Sequence, residues 1–150
     1  MPPPSVSVYA HEEVPSPSLP VDWLEKIAVT AMPHVLGHAT SEDAPLKSLH
    51  EIEVTLVSDE DIARVHAEFL DDPTPTDVIT FHHGEILISF DTAARQAADH
   101  DQTRDHELAL YMIHGLMHLA GWDDHEPDEA QEMARLQGAV LDAVLNQLNA

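Results

Sequence analysis

Two kinds of hydrophobic spacing divide the chain into predicted strands and helices. Alternating or β-rich runs predict four strands, at 5–9, 51–56, 77–81 and 85–90. Apolar residues that recur every three or four positions predict five helices, at 21–36, 59–69, 92–98, 103–120 and 127–148. The polar segment 40–47 is predicted to be a loop. This order of elements predicts an α+β domain in which a small mixed sheet of about four strands packs with about five helices.

Residues with strong terminal preferences mark where the helices begin and end. Ser58, followed by Asp61 three residues later, is a capping signal, and Asp91 is expected to cap the short Ala-rich helix after it. Gly121 is predicted to end the long helix, and Pro127 suits the first turn of the last one. The C-terminal half is therefore predicted to form three helices in succession.

The length of 150 residues suits one compact domain, and no internal repeat divides it. Six of the eleven prolines fall within residues 1–20. This segment is predicted to be a stiff, proline-rich stretch that contains an edge strand. We therefore expect a single domain over residues 1–150.

The composition limits the possible chemistry. The chain has no cysteine, which excludes disulfides, thiolate metal sites and a cysteine nucleophile, whereas its twelve histidines favour imidazole and carboxylate chemistry. No apolar run approaches the roughly 20 residues of a membrane span, and the N-terminal sequence does not resemble a signal peptide. We expect a soluble, cytoplasmic protein without a membrane partner.

The net charge bears on the choice of partner. The chain has 28 acidic and six basic residues, for a formal charge of -22. Attraction to phosphate supplies most non-specific affinity for nucleic acids, so composition alone argues against an RNA or DNA partner. The oligomeric state is left open.

A pair of histidines on the long predicted helix indicates a metal site. His114 and His118 are four residues apart, so both side chains lie on one helix face and can bind one ion. A left-handed turn at Gly121 would bring Asp124 or His125 back as a third ligand. Three protein ligands leave one position open, and an open position allows a bound metal to activate water. A histidine pair without such surroundings is more often an ordinary core or surface feature.

The spacing is also close to that of metzincin proteases. In those enzymes the residue after the first histidine is the glutamate that serves as general base. Here that residue is Gly115. A zinc protease is therefore disfavoured.

The segment from His114 to Asp123 resembles the signature of the YbeY family, bacterial metal-dependent endoribonucleases that act in ribosomal RNA maturation. Three upstream segments also resemble the family's motifs: 75–81 (PTDVITF), 84–89 (GEILIS) and 106–109 (HELA). The resemblance covers residues 52–145. It implies an α+β fold, one zinc ion held by three side chains, and cleavage of single-stranded RNA rather than DNA. It also implies a role in 16S rRNA 3′-end maturation and ribosome quality control, with the ribosomal subunit as partner.

Two readings of the third metal ligand follow from the resemblance. The family's usual Gly-Tyr-Asp-His is replaced by Gly121, Trp122 and the run Asp123-Asp124-His125. An alignment without a gap also matches the family's downstream methionine to Met133, and it makes Asp124 the ligand. A one-residue insertion would make His125 the ligand instead. We favour Asp124, since a carboxylate is an acceptable zinc ligand.

A second difference concerns the phosphate. The family commonly has an arginine where this chain has Leu70, and a guanidinium there would be expected to stabilise phosphoryl charge. Arg64, Arg95 and Arg104 are candidate replacements, although each also suits an ordinary surface charge. The family's asparagine on the preceding helix corresponds to His66, which would either bind phosphate or be an ordinary half-buried histidine.

The implied reaction is metal-assisted cleavage of a phosphodiester. Asp123 is the first choice for the group that moves the proton, and its alternative role is to cap the turn or orient a ligand. Thr76 and Asp77 are expected to line the substrate cleft, unless Asp77 fixes its loop by hydrogen bonds to backbone amides. His82 and His83 either contact substrate or form a polar hairpin tip, and the tip is preferred.

Two other functions stay open. One is a non-catalytic ribosome-associated protein in which zinc only joins the C-terminal helices, and a closed sphere of four ligands would support it. The other is a metal-dependent hydrolase of a small ester or amide, which the acidic surface would tolerate better. The acidic surface is also compatible with RNA cleavage if it is an adaptation to high salt and the cleft alone is positive.

Overall fold

The computed structural model describes residues 2–11, 20–72, 74 and 76–149. Its strands are β1 (Ser5–Ala10), β2 (Glu51–Val57), β3 (Val78–Phe81) and β4 (Glu85–Ser89). Its helices are α1 (Val21–Gly37), α2 (Pro45–Ser48), α3 (Asp59–Leu70), α4 (Phe90–Asp99), α5 (Arg104–Leu119) and α6 (Pro127–Asn149). The predicted α+β class and four-stranded mixed sheet are confirmed.

The sheet has the strand order β1-β2-β4-β3. The β1–β2 and β2–β4 pairs are parallel, and β3 pairs with β4 in the antiparallel direction. β1 is therefore an edge strand, as predicted, and the two later strands form a hairpin. Gly84 turns this hairpin with a φ of 109°, and a Cβ there would lie 2.7 Å from the backbone oxygen of Glu51. Within the predicted proline-rich stretch, residues 1 and 12–19 lie outside the described residues.

The two faces of the sheet are covered differently. One face packs against α1 and α5, which α6 covers in turn, and this side of the sheet forms the main core. The other face packs against α3 and forms a small cluster of Val57, Ile62, Ile79 and Leu87. Alternation along the strands produces this division, because neighbouring residues point to opposite faces. The main core fixes α5, while the second face is only partly covered.

The segment 40–47 is not entirely a loop. Pro45–Ser48 forms the short helix α2, so the described residues contain six helices rather than about five. Leu46 is fully buried, which anchors this turn against the core. A single helical turn is too short to show a hydrophobic period, and the sequence pattern therefore missed it.

The predicted cap of α4 is wrong by two residues. Ser89 is the N-cap, and its hydroxyl accepts a hydrogen bond from the Thr92 amide at 3.1 Å. Asp91 instead accepts a bond from the Asp59 amide at 2.9 Å, because α3 and α4 begin side by side. The Ser58 cap of α3 is confirmed by its bond from the Asp61 amide at 3.1 Å.

A polar cluster joins the first turns of α3 and α4. The Asp59 carboxylate accepts hydrogen bonds from Ser89 Oγ at 2.6 Å, Thr92 Oγ1 at 2.7 Å and Arg95 Nη1 at 2.6 Å. Burial raises the pKa of Asp59, but these three donors outweigh it, so the pKa lies below its ordinary value. The guanidinium of Arg95 is thus bound to a structural carboxylate.

None of the described helices combines the length and apolarity that a bilayer crossing requires.

Candidate metal centre

Helix α5 keeps its two central histidines partly exposed, while the residues around them are buried in the core. Ile113, Leu116 and Met117 are fully inaccessible to solvent, whereas the imidazoles of His114 and His118 are partly exposed. Gly115 faces the sheet, and a Cβ there would lie 2.9 Å from the Ile86 side chain. A glutamate at 115 would therefore not reach the cleft, so the structure also disfavours the metzincin arrangement.

The chain reverses directly after α5 through a Schellman turn. Gly121 has a φ of 104°, its amide donates to the His118 carbonyl at 3.0 Å, and the Trp122 amide donates to the Met117 carbonyl at 3.1 Å. The Trp122 indole then donates to the His38 carbonyl at 2.8 Å, at the end of α1. These bonds hold residues 121–124 over the last turn of α5.

This turn brings Asp124 to the two histidines. His114 Nε2 and His118 Nε2 are 3.1 Å apart, and the Asp124 carboxylate oxygens lie 3.5 Å and 3.7 Å from them. One ligand atom from each residue lies within 4.8 Å of the other two. In the described part of the chain, these three side chains are a group that could hold a metal ion.

His125 turns away from this group. Its imidazole is 84% exposed, and its Nδ1 lies 2.6 Å from Asp123 Oδ1. The same Asp123 oxygen accepts hydrogen bonds from the amides of Asp124 at 2.7 Å and His125 at 3.2 Å. Asp123 thus caps the loop, which is the alternative role considered for it, and its cap holds His125 outward and Asp124 inward.

The outer nitrogen of each histidine faces an acceptor. His118 Nδ1 lies 2.9 Å from the Trp122 carbonyl oxygen, and His114 Nδ1 lies 2.8 Å from Gln137 Oε1. A carbonyl oxygen can only accept, so we assign the proton to each Nδ1, which leaves each Nε2 with a lone pair toward the other. Burial, reinforced by His114, lowers the pKa of His118, while Asp124 opposes this shift.

The residues fit a zinc ion on chemical grounds. Two nitrogen lone pairs at 3.1 Å repel each other unless a cation or a proton lies between them. Two imidazoles and one carboxylate are an established zinc donor set, and three protein ligands are typical of catalytic sites. Hydrogen bonds from ligand imidazoles to carbonyl oxygens are also typical of such sites.

The group opens into a cleft of about 490 Å³ between the end of α5 and the edge strand β3. Its lining combines polar residues next to the metal group with an apolar wall: Pro45, Leu70, Val78, Ile79, Thr80, Phe81, His82, His118, Gly121, Trp122, Asp123, Asp124 and His125. The hydroxyl of Thr80 is buried and has no hydrogen-bond partner in the described structure. Because His118 and Asp124 line this cleft, a molecule from solvent can reach both of them.

Three predicted catalytic residues do not line this cleft in the described structure. His66 Nδ1 lies 2.8 Å from the Thr74 carbonyl oxygen. Asp77 Oδ1 accepts hydrogen bonds from its neighbours, the Val78 amide at 2.8 Å and Thr76 Oγ1 at 3.4 Å. These contacts stabilise the segment that leads into β3, which is the alternative role considered for Asp77.

The candidate arginines are also absent from the described cleft lining. Arg64 is paired with Asp61, Arg95 with Asp59 at 2.6 Å, and Arg104 with Asp105 at 2.9 Å. Leu70, at the position of the family arginine, is 56% exposed and lines the cleft. At the position where the family has an arginine, the cleft therefore presents the apolar side chain of Leu70.

Two groups that orient the histidines were not predicted from the sequence. Gln137 lies on α6, 23 residues after His114, and the only signal for it is a polar residue beside the apolar stripe of that helix. The Trp122 carbonyl could have been found from the Schellman turn, because that turn folds residue 122 back over α5. Only the Gln137 contact depends on how the last two helices pack.

Comparisons with known proteins give a consistent result. A family model described as "Endoribonuclease YbeY" matches residues 22–145. A Mycobacterium leprae protein named Endoribonuclease YbeY is 36% identical over an alignment of 111 residues, with a coverage of 61% of this chain and 62% of that protein. A Streptomyces coelicolor protein of the same name is 34% identical over 114 residues, covering 63% and 69% of the two chains. The match thus spans about three fifths of the mycobacterial relative.

A solved structure also resembles the fold. The solution structure of a Thermotoga maritima protein superposes with a TM-score of 0.62 at 22% identity, covering 96% of this chain and 91% of that one. The likeness extends over nearly the whole chain, a larger part than the family match at residues 22–145. At this identity it bears on the fold alone.

Proposed function

The chain belongs to the YbeY family, and from this premise we propose that it is a zinc-dependent endoribonuclease acting on single-stranded RNA. Its proposed role is 16S rRNA 3′-end maturation and ribosome quality control in the cytoplasm, with the ribosomal subunit as partner. The observation that supports this most strongly is the convergence of His114, His118 and Asp124 beside a solvent-open cleft that His118 and Asp124 line.

The proposed site holds one zinc ion. His114 and His118 would bind it through Nε2, and Asp124 would bind it through a carboxylate oxygen, in preference to His125. A bound zinc ion supplies a water of lowered pKa and a Lewis acid for a phosphoryl oxygen. Gln137 and the Trp122 carbonyl hold the two imidazoles in the required tautomer and orientation.

Asp123 is the proposed proton-transfer group. Its carboxylate lines the same cleft as Asp124 and is half exposed, so it can exchange a proton with solvent and with substrate. Its Oδ1 also caps the loop. We assign to His66, Thr76 and Asp77 a positioning role, since their contacts support the segment before β3 and they do not line the cleft.

The charge of the chain favours one second candidate. Five of the six basic side chains lie next to a carboxylate, which leaves little positive potential for a polyanion. A metal-dependent hydrolase of a small ester or amide would not meet this difficulty. Turnover of single-stranded RNA and of small esters under one zinc concentration distinguishes the two, because only the family function predicts faster cleavage of RNA.

The decisive experiment measures zinc content and RNA cleavage together. Wild type is expected to bind one zinc ion per chain and to cleave single-stranded RNA in a zinc-dependent manner. His118→Ala should lose the ion and at least about 100-fold in rate, more than the 10–100-fold typical when a ligand loses its outer hydrogen-bond partner.

The matched control is His50→Ala, which removes an exposed imidazole far along the chain from α5. It should retain both zinc and activity. If His118→Ala is folded by circular dichroism and still cleaves RNA at the wild-type rate with zinc, the proposed site is wrong. Binding of zinc without cleavage by wild type would instead support the non-catalytic alternative.

A further inference from the structure

A second pocket lies on the opposite face of the sheet from the main core. It has a volume of about 730 Å³ and lies between α3 and the strands β2, β3 and β4. Its floor is apolar and includes Val57 and Leu87, and its rim includes Phe69 and Phe81. Phe69 is 61% exposed, so much of its ring is accessible to solvent.

Three flat rings form a row along this pocket, which we call the aromatic row: Phe69, Phe81 and His83. Phe69 and Phe81 meet edge to face with ring centroids 5.5 Å apart. Phe81 and His83 are stacked with centroids 5.5 Å apart and an interplanar angle of 18°. The row holds its rings in place by mutual contact, so a planar ligand would meet a preorganised surface.

The aromatic row is continuous with the metal cleft. Phe81 lines both the cleft and the second pocket. Leu70 lines the cleft and the adjacent Phe69 lines the pocket, while His82 and His83 are divided in the same way. An extended ligand in the cleft can thus pass over the edge strand β3 and reach the second pocket without leaving the surface.

The charges around the pocket select the part of a ligand that enters it. Asp61, Glu68 and Glu85 lie in its lining, and they disfavour a phosphate. Arg64 and His11 do not compensate, because both are paired with Asp61. Carboxylates accept hydrogen bonds from amino groups, so a neutral planar ring that carries an exocyclic amine suits both the rings and the acids.

We infer that the aromatic row is a subsite for an unpaired nucleobase of the strand whose phosphodiester lies in the metal cleft. The inference rests on the proposed function and adds to it a substrate contact outside the metal centre. Base stacking on aromatic side chains is tolerant of sequence because every base has a π-face. Base stacking also supplies affinity that does not require positive charge, and this chain has only six basic residues against 28 acidic ones.

The test combines a protein variant with a substrate variant. Binding of the full-length chain with zinc to fluorescently labelled single-stranded RNA is measured while an abasic residue is moved along the strand. For wild type, one abasic position should weaken binding by about 5- to 100-fold, the range expected for one stacked base. For Phe69→Ala, the same position should have less than about a 3-fold effect, because the partner of the base is already missing.

Two further variants serve as controls for the loss of the Phe69 ring. Phe69→Trp retains a stacking surface and should preserve the abasic effect. Val29→Ala, which truncates a 65% exposed apolar residue on α1, should behave as wild type. The exposure of Phe69 means that its truncation leaves the core intact.

Several outcomes would overturn the inference. An equal effect of every abasic position, or an unchanged response in Phe69→Ala, excludes a base subsite at the row. If Phe69→Ala leaves RNA binding intact but converts a dimer to a monomer in sedimentation, the occupant is a second copy of the chain. Cleavage is measured separately, so a site-specific abasic effect without cleavage would count against the proposed reaction and not against the subsite.

Discussion

Gly121→Ala should both destabilise the fold and disturb the metal site. The residue has a φ of 104°, and a Cβ there would overlap Thr40 Oγ1. The positive φ costs a non-glycine residue about 1–3 kcal/mol, and overpacking adds about 1–3 kcal/mol. We therefore expect the free energy of unfolding to fall by about 2–6 kcal/mol. For a domain of this size the lower limit corresponds to a decrease in Tm of at least about 4 °C.

The two contributions can be separated by a second substitution. Thr40→Ala removes the hydroxyl that the new methyl group would overlap, so the double variant Thr40→Ala/Gly121→Ala should recover the packing part and retain the backbone strain. Gly138→Ala is the control, because nothing lies within 4 Å of its Cβ position on α6. It should raise stability by about 0.5–1 kcal/mol, the helix preference of alanine over glycine.

The assays are denaturant unfolding of the zinc-free chain and zinc affinity by competition with a chelator. Asp124 follows the turn by three residues, so a displaced turn should weaken zinc binding by at least about 10-fold, as loss of ligand orientation does elsewhere. If Gly121→Ala unfolds within about 0.5 kcal/mol of wild type and binds zinc equally well, the turn does not position the third ligand.

Three other predictions test the proton-transfer group, the histidine support and the acid stability. Asp123→Asn keeps an oxygen that can cap the loop, so it should retain zinc but lose about 100-fold in kcat. Asp123→Ala lacks that oxygen and should lose zinc affinity as well. Equal kcat in wild type and Asp123→Asn would exclude the proton-transfer role. Gln137→Ala removes the acceptor of His114 Nδ1 and should weaken zinc binding by about 10–100-fold, whereas unchanged affinity would show that this contact is dispensable. The pKa of Asp59 is lower in the folded chain than its ordinary 3.8, so its stabilising effect is present above that value and is lost as the pH falls through the folded pKa. The free energy of unfolding of Asp59→Asn should therefore fall less steeply with decreasing pH than that of wild type. An identical pH dependence of the two would contradict this assignment.

Local patterns were sufficient for most of the fold. The period of α5 and the alternation in β2 predicted those elements, because both periods follow from backbone geometry within a few residues. The failures were α2 and the cap of α4. α2 exists because Leu46 is buried by distant residues, and Asp91 caps nothing on its own helix because the start of α3 lies beside it.

For the candidate site, too, part could be predicted from local sequence and part depended on the folded structure. Spacing alone placed His114 and His118 on one face, and Gly121 signalled the reversal of the chain after them. The choice between Asp124 and His125 was open in the sequence, since either can follow such a turn. In the structure, Asp123 holds His125 outward and Asp124 lies by the histidines, although the identity of the third ligand stays a prediction until zinc binding is measured.

Helical spacing and glycine's freedom at positive φ act over a few residues, so the histidine pair and the turn could be inferred from the order of amino acids. The Gln137 contact spans 23 residues, and the Trp122 contact with His38 spans 84. The aromatic row likewise joins α3 to the β3–β4 hairpin. Such contacts arise only when helices and strands pack, because the free energy that brings distant segments together comes from burial of the whole core and not from the residues that meet.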